Sequence, residues 1–268
     1  VDLNSLPSLS AAREKLMGKL VLKKHRQQES LFLIEGVRLV EEAYASGLAV
    51  NWAVVTESAG ERELSIIEKL VSRGVPVYRA REQILRKKLD TVTPQPLAAV
   101  CKLPALNLGS LSLPESSVVV VCDRASQPGN LGAVFRVAEA SGADAALLGP
   151  GTVDPYNPKC VRGSMGALFR LPVVVCESEE ELGAFLEGAG FTVFEARTGG
   201  EDIFAVGSFP KRTALLLGSE ADGVSSALSS LARRRLSVPM TPKVESLNVA
   251  VAAGIILYEI ARKTGRLK

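Results

Sequence analysis

The sequence predicts an α/β protein in two parts, and three observations carry that expectation. Short apolar runs of strand length alternate with amphipathic stretches of helix length along the chain, the order that α/β domains follow. The run VVVVC at residues 118–122 is apolar throughout, as a strand of a parallel sheet covered on both faces is. Between the parts, PALNLGSLSLPESS at residues 104–117 loses periodicity and rises in Pro, Ser and Gly, which marks a linker. The expected division is a first domain over residues 1–104, a linker over 105–116 and a second domain over 117–268.

In the first domain, Ser8 or Ser10 can cap a short helix over residues 11–16, and LFLI at 31–34 reads as a strand. A helix over 35–45 follows, with Val37, Val40 and Ala43 on one side and Gly47 as its stop. Strand-like NWAVV, a helix over 61–72, strand-like VPVY, a basic helix over 82–89 and strand-like LAAVCKL complete a self-contained unit. DTVTPQP at 90–96 is a turn-rich bridge into the last strand.

In the second domain, the strand at 118–122 runs into DRASQPGNLGAVFRVAEASGA. Pro128, Gly129 and Gly132 make a strand-to-helix turn that lets the backbone approach a ligand closely. Asn130 is expected to cap the helix, and Arg136 is long enough to return toward the same cleft. The βα alternation repeats through AALLG, a helix near 160–166, VVVC, a helix over 179–188, FTVFEA, TALLLGSEADGVS and LSVP. The last helix, around 251–257, is apolar on nearly every side, while its start is polar, with Ser246 as N-cap and Pro239 and Pro242 stiffening the approach. Glycine loops after strands are where an open α/β sheet keeps a ligand. Neither the G-x-G-x-x-G of dinucleotide folds nor a P-loop is present, which weakens a nicotinamide-dependent oxidoreductase.

Composition narrows the classes. Hydrophobic residues make up 47% of the 268, enough for two cores. No apolar run approaches the roughly 20 residues of a membrane span. The opening VDLNSLPSLS lacks the order of a signal peptide, so a cytoplasmic protein is expected. The four cysteines are scattered and His25 is the only histidine, so reduced thiols and no metal centre are expected. One histidine also removes most Ser–His and Cys–His mechanisms, leaving Arg, Glu, Ser, Asn or a cofactor to do the chemistry. The net charge is +3, and its cations gather at Arg13, Lys15, Lys19, Lys23, Lys24, His25 and Arg26 and again at Arg81, Arg86, Lys87 and Lys88. Two such groups suggest a phosphate-binding surface, with Lys23, Lys24, Arg26, Arg86 and Lys87 as candidates; interspersed Glu14, Glu29, Glu82 and Asp90 equally fit a solvated helix face.

Three segments together, PGNLGAVFRVAEASGA, LLLGSEADGVS and VPMTPKVESLNVAVAAGIILYE, resemble the SpoU (TrmH) family of the SPOUT class of RNA ribose methyltransferases. PYNPKCVRGSMGALFRLPV resembles the stretch between that family's first blocks. ESLFLIEGVRLVEEA resembles the substrate-binding domain of its ribosomal RNA-modifying members, itself similar to ribosomal proteins that grip bent RNA. The resemblance implies a parallel sheet tied into a deep trefoil knot, S-adenosylmethionine bound among the knotted loops, and a homodimer formed through the C-terminal domain. It implies transfer of a methyl group to a ribose 2′-hydroxyl, most directly in large-subunit ribosomal RNA. A transfer RNA substrate, and an RNA-binding assembly factor without turnover, are the alternatives.

Carried over by position, Gly218, Val238 and Leu247 match residues whose backbone holds the cofactor, with Leu217 and Met240 in the same loops and Thr198, in a turn at 196–198, at the adenine edge. Arg136 matches the catalytic arginine; a guanidinium is a poor base, so Arg136 is expected to position the hydroxyl or a phosphate and stabilise developing charge. The resemblance assigns Asn130 to orient Arg136 or the ribose, Glu220 to hold the active-site loop, and Ser246 with Asn248 to fix the substrate. One departure is Pro96, where related chains have glycine after Thr-Pro-Gln; the bridge into that strand is expected to take another path.

Overall fold

The computed structural model describes residues 2–89, 91, 93–219 and 221–267. In chain order the first elements are α1 (Ala11–Lys19), α2 (Lys23–Glu29), β1 (Leu31–Glu35), α3 (Val37–Ser46), β2 (Val50–Val55), α4 (Glu61–Ser72), β3 (Val77–Arg79), α5 (Glu82–Lys88) and β4 (Leu97–Lys102). There follow β5 (Ser117–Cys122), α6 (Pro128–Ala140), β6 (Ala145–Leu148), α7 (Pro158–Ser164), β7 (Val173–Val175) and α8 (Glu179–Gly188). The chain closes with β8 (Thr192–Asp202), β9 (Arg212–Leu217), α9 (Ser226–Ser230), β10 (Ala232–Ser237) and α10 (Val249–Lys263). These form two compact units, residues 1–104 with 156–169, and residues 105–155 with 170–268.

The first unit is a four-stranded sheet in the order β1-β4-β2-β3, antiparallel except where β2 meets β3. Its core gathers Met17, Leu20, Leu33, Trp52, Leu85 and Val100. The stretch 156–169 belongs here: α7 packs on β1, and Phe32 meets Tyr156 at 4.8 Å between ring centroids. The helix expected from residue 35 starts at Val37, because Gly36 takes φ 94°, outside helical space. In the bridge before β4, of which Asp90 and Val92 lie outside the described residues, Glu35 Oε1 accepts from Thr91 Oγ1 at 2.7 Å and from Gln95 N at 2.9 Å. That carboxylate anchors the approach to Pro96.

The basic stretch before β1 forms its own helix, α2, and one of its residues corrects an expectation. Arg26, a candidate for RNA contact, is 2% exposed and donates from Nη1 to the carbonyls of Leu20 and Val21, each at 2.7 Å. Its guanidinium is spent at the end of α1, buried and away from the surface. Lys23, Lys24, Arg86 and Lys87 are exposed. The two basic groups are neighbours in the fold, since α1 lies against α5 and Lys88 passes close to Gly18.

The second unit is a six-stranded parallel sheet in the order β10-β8-β9-β5-β6-β7. Every residue of β5 is buried, as its unbroken apolar run requires. Residues 105–116 are built into this unit: Leu108 is buried in its core and Leu106, Leu111 and Leu113 pack around it. From β5 the chain runs outward through β6 to β7 and then returns to the other side with β8 and β9, so the sheet changes direction between β5 and β9. Such a switch point leaves a crevice at the carboxyl ends of the strands.

Candidate active site

At the carboxyl ends of β8, β9 and β10 lies a cavity of about 510 Å³, walled by three stretches of chain. Leu217 and Gly218 leave the end of β9, Val238 and Met240 follow β10, and Ser246, Leu247 and Asn248 lead into α10. Thr198 closes a further side. Leu217, Gly218, Val238, Met240, Leu247 and Thr198, the residues expected at a cofactor, thus line one space, together with Ser246 and Asn248. Glu220 lies outside the described residues.

The wall after β9 owes its shape to glycine. A Cβ on Gly218 would collide with the backbone of Gly223 and Val224. Gly223 takes φ 70°, and the turn is closed by Ser219 N to Gly223 O at 3.0 Å and Gly223 N to Ser219 O at 3.1 Å. Ser219 Oγ accepts from Asp222 N at 2.9 Å. From below, buried Asp123 holds both ends of the loop: its N–H donates to Leu217 O at 2.8 Å and its Oδ2 accepts from Ser225 N at 2.7 Å. Next to it, burial, reinforced by the charge of Asp123, pushes the Cys122 thiol up to about 12. That thiol is inert, buried at the end of β5.

The wall leading into α10 departs from expectation at its cap. Ser246 is not the N-cap; Asn248 is, its Oδ1 accepting from Ala250 N at 2.9 Å and Val251 N at 3.4 Å. With the oxygen so used, Asn248 Nδ2 donates to Asn130 Oδ1 at 3.0 Å and joins α10 to the start of α6. Asn130 likewise is not a cap: α6 starts at Pro128 after Gln127, and Asn130 sits inside its first turn. Arg136 lies one and a half turns on, exposed, and does not line the cavity of its own chain. Six residues turn a side chain about 240° around a helix and carry it about 9 Å along, which takes Arg136 off the Asn130 face.

The stretch expected as a turn at 196–198 lies in an excursion: Glu195 pairs with Arg235 and Glu201 with the next residue, Leu236, so residues 196–200 loop out between them. The excursion falls inside β8, whose later residues pair with β10 beyond it, and a Cβ on Gly200 would stand 2.6 Å from Arg235 O. Two cavity-shaping residues escape sequence reasoning, Asp123 and the buried lining residue Glu195. Each is a carboxylate closing an apolar strand run, in VVVVCD and FTVFE, and that is the signal which could have drawn attention to them.

On α6 and α10, adjoining the cavity at Asn248, Ala133, Val137, Ala250, Val251, Ile255 and Tyr258 form a shallow apolar groove of about 540 Å³. Val251 is 51% and Tyr258 44% exposed.

Comparison with known proteins matches this architecture. The SpoU rRNA Methylase family matches residues 117–258, and the MRM3-like substrate binding domain matches residues 13–99. The chain is 36% identical over 245 residues to the 23S rRNA (guanosine(2553)-2′-O)-methyltransferase RlmP of Bacillus subtilis, covering 90% of this chain and 93% of that one. It is 33% identical over 247 residues to the 23S rRNA (uridine(2479)-2′-O)-methyltransferase of Streptomyces viridochromogenes, covering 89% and 85%. The crystal structure of the SpoU methyltransferase AviRb from Streptomyces viridochromogenes in complex with the cofactor AdoMet superposes with a TM-score of 0.85 at 29% identity, over 96% of this chain and 100% of that one. With the second and third sequence blocks around one cavity and the family matched along more than half its length, the chain belongs to the SpoU rRNA methylase family.

Proposed function

We propose that this protein transfers the methyl group of S-adenosylmethionine to a ribose 2′-hydroxyl of large-subunit ribosomal RNA. The observation that carries the reading is the convergence of the ends of β8, β9 and β10 with the start of α10 on one cavity whose wall at Gly218 tolerates no side chain. The cavity falls within the volumes typical of small-molecule sites, and it offers apolar walls beside loop backbone, which suits a nucleoside bearing an amino-acid arm. Leu217, Gly218, Val238, Met240 and Leu247 would hold the cofactor, with Thr198 at the adenine edge. When bound, it supplies a methyl group already activated by its sulfonium.

The protein's own task is to orient the hydroxyl and offset the charge that develops as it loses its proton. Arg136 does this by binding the hydroxyl or the adjacent phosphate. Asn130, fixed by Asn248, orients the ribose; Ser246 holds the substrate at the cavity mouth, and Glu220 steadies the loop it belongs to. Because Arg136 does not line its own chain's cavity, we take the working unit to be a homodimer joined along the apolar α6–α10 face, with Arg136 serving the partner's cavity. The carboxyl-terminal loops are threaded as a deep trefoil knot. Lys23, Lys24, Arg86 and Lys87 of the first unit bind the RNA backbone.

We assign the reaction to the cytoplasm; among the described residues no helix is long and apolar enough to cross a membrane, and the four cysteines are buried and form no disulfide. The test is transfer of labelled methyl from S-adenosylmethionine to ribosomal RNA from cells lacking the gene. Arg136→Ala should lower kcat by about 100- to 1,000-fold, the scale of losing a charge-stabilising donor. Its affinity for S-adenosylhomocysteine, by titration calorimetry, should stay within about twofold. Full activity in the variant removes Arg136 from the mechanism.

A further inference from the structure

The rim of the cavity carries a charged cluster that the methyl transfer above does not use. Glu195 is 3% exposed, yet three groups converge on its carboxylate. Oε2 accepts from Ser229 Oγ at 2.7 Å and from Arg235 Nε at 3.2 Å, and Oε1 lies 3.8 Å from Arg197 Nη1. The carboxylate is sunk while its cations are not: the side chains of Arg197 and Arg235 remain 57% and 54% exposed. Arg197 lines the cavity, and Arg235 stands on the edge strand β10, which pairs with β8 beside it.

Three consecutive arginines occupy that edge strand, and they are not equivalent. Arg234 spends its fork on Glu201. Arg235 uses Nε alone on Glu195, which leaves both Nη groups available, and Arg197 makes no hydrogen bond to that carboxylate at 3.8 Å. Arg233 is exposed. Arg197 and Arg235 therefore share the one carboxylate of Glu195, with Arg233 exposed on the same strand and Asp222 as another acid in the cavity lining. Charged residues on an edge strand often serve only to block sheet extension. Such residues need no buried anchor, whereas here a desolvated carboxylate hydrogen-bonds Arg235 and draws Arg197 to within 3.8 Å by charge.

We propose that Arg197 and Arg235, held on Glu195, form a clamp for a phosphate of the RNA backbone beside the ribose that enters the cavity, with Arg233 extending the track. A guanidinium fork matches phosphate oxygens geometrically, and in RNA a phosphate flanks every 2′-hydroxyl. Glu195 is a positioning residue; the two arginines touch the substrate. The inference rests on the reading of RNA as substrate.

The probe is large-subunit ribosomal RNA from cells lacking the gene, with affinity measured by filter binding across a salt series. Arg197→Gln and Arg235→Gln should each reduce the slope of log K against log salt by about 1 and raise KM for RNA. Affinity of Arg235→Gln for S-adenosylhomocysteine should stay within about twofold, which shows that the cavity is folded. Glu195→Gln separates a clamp from a loose basic patch. Removing an acid from a loose patch tightens RNA binding, whereas releasing the arginines of a clamp weakens it. If the wild-type protein binds and methylates this RNA while both arginine variants keep its slope and KM, or Glu195→Gln binds more tightly, the clamp is overturned and the enzyme reading stands. If the wild-type protein does neither, the substrate reading falls and the clamp with it.

Discussion

The cavity of the second unit and the basic surface of the first are made in opposite ways. Two stretches of the cavity wall are tied down: the loop after β9 lies against bare Gly218 with Asp123 holding its two ends, and Asn248 caps α10 while reaching Asn130. On the basic surface, Lys23, Lys24, Arg86 and Lys87 project from short helices into solvent. Where the backbone itself is the wall, a methyl group is too much. Where exposed charge is the surface, each residue contributes a small, salt-screened share.

Substitutions should separate the two regions by size and by response to salt. The largest effect is expected at Gly218→Ala, whose Cβ displaces the backbone of Gly223 and Val224. Overpacking of this kind costs about 1–3 kcal/mol, so S-adenosylhomocysteine should bind about 10- to 100-fold more weakly in calorimetry, with little dependence on salt. Unchanged affinity would mean that the loop is free to move, and the contrast would be lost. A middle effect is expected for Lys23→Ala with Lys24→Ala, measured as RNA affinity across a salt series. The slope should fall by about 1 per lysine, and cofactor affinity should be unaffected.

The smallest effect concerns α10, the helix that carries one cavity wall. Glu259 accepts from Arg262 Nε and Nη2, each at 2.8 Å, and lies 3.0 Å from Lys263 Nζ. The hydrogen bond from Arg262 leads in holding its carboxyl down at about 2, against an ordinary 4.5, and Lys263 adds to it while burial opposes. A depressed folded value means that the contribution to stability is complete above about pH 4.5 and is lost as pH falls toward about 2. Glu259→Gln should therefore lower Tm by about 2–4 °C at pH 7, and the gap should close by pH 2. A gap that is independent of pH would assign the effect to packing.

The tied-down region was the more legible of the two in sequence, though not in its reasons. Gly218, Val238, Leu247 and Asn248 stand in blocks whose glycines, prolines and apolar runs restrict the backbone locally, so their pattern is visible along the chain. The partners that explain them are not local. Asp123 meets Ser225 across 102 residues, and nothing near a lone carboxylate announces which distant N–H it will accept from. The choice of cap was similarly hidden: Ser246 and Asn248 are equally suitable by type, and Asn248 is used where a single amide can serve both α10 and Asn130. The turn expected at 196–198 gave no sign that β8 resumes beyond it to pair again with β10, or that Gly200 is small so that the strand can pass beside Arg235. On the basic surface, charge counting located the cluster but could not tell Arg26, folded back onto two carbonyls, from the neighbouring lysines.

The central claim is that the cavity serves methyl transfer to ribose in ribosomal RNA. Site-resolved mapping of 2′-O-methylation in large-subunit ribosomal RNA, from cells with the gene, without it and with the gene restored, tests it most directly. The account expects a ribose methylation that vanishes with the gene and returns with it. An unchanged methylation map across all three would contradict it.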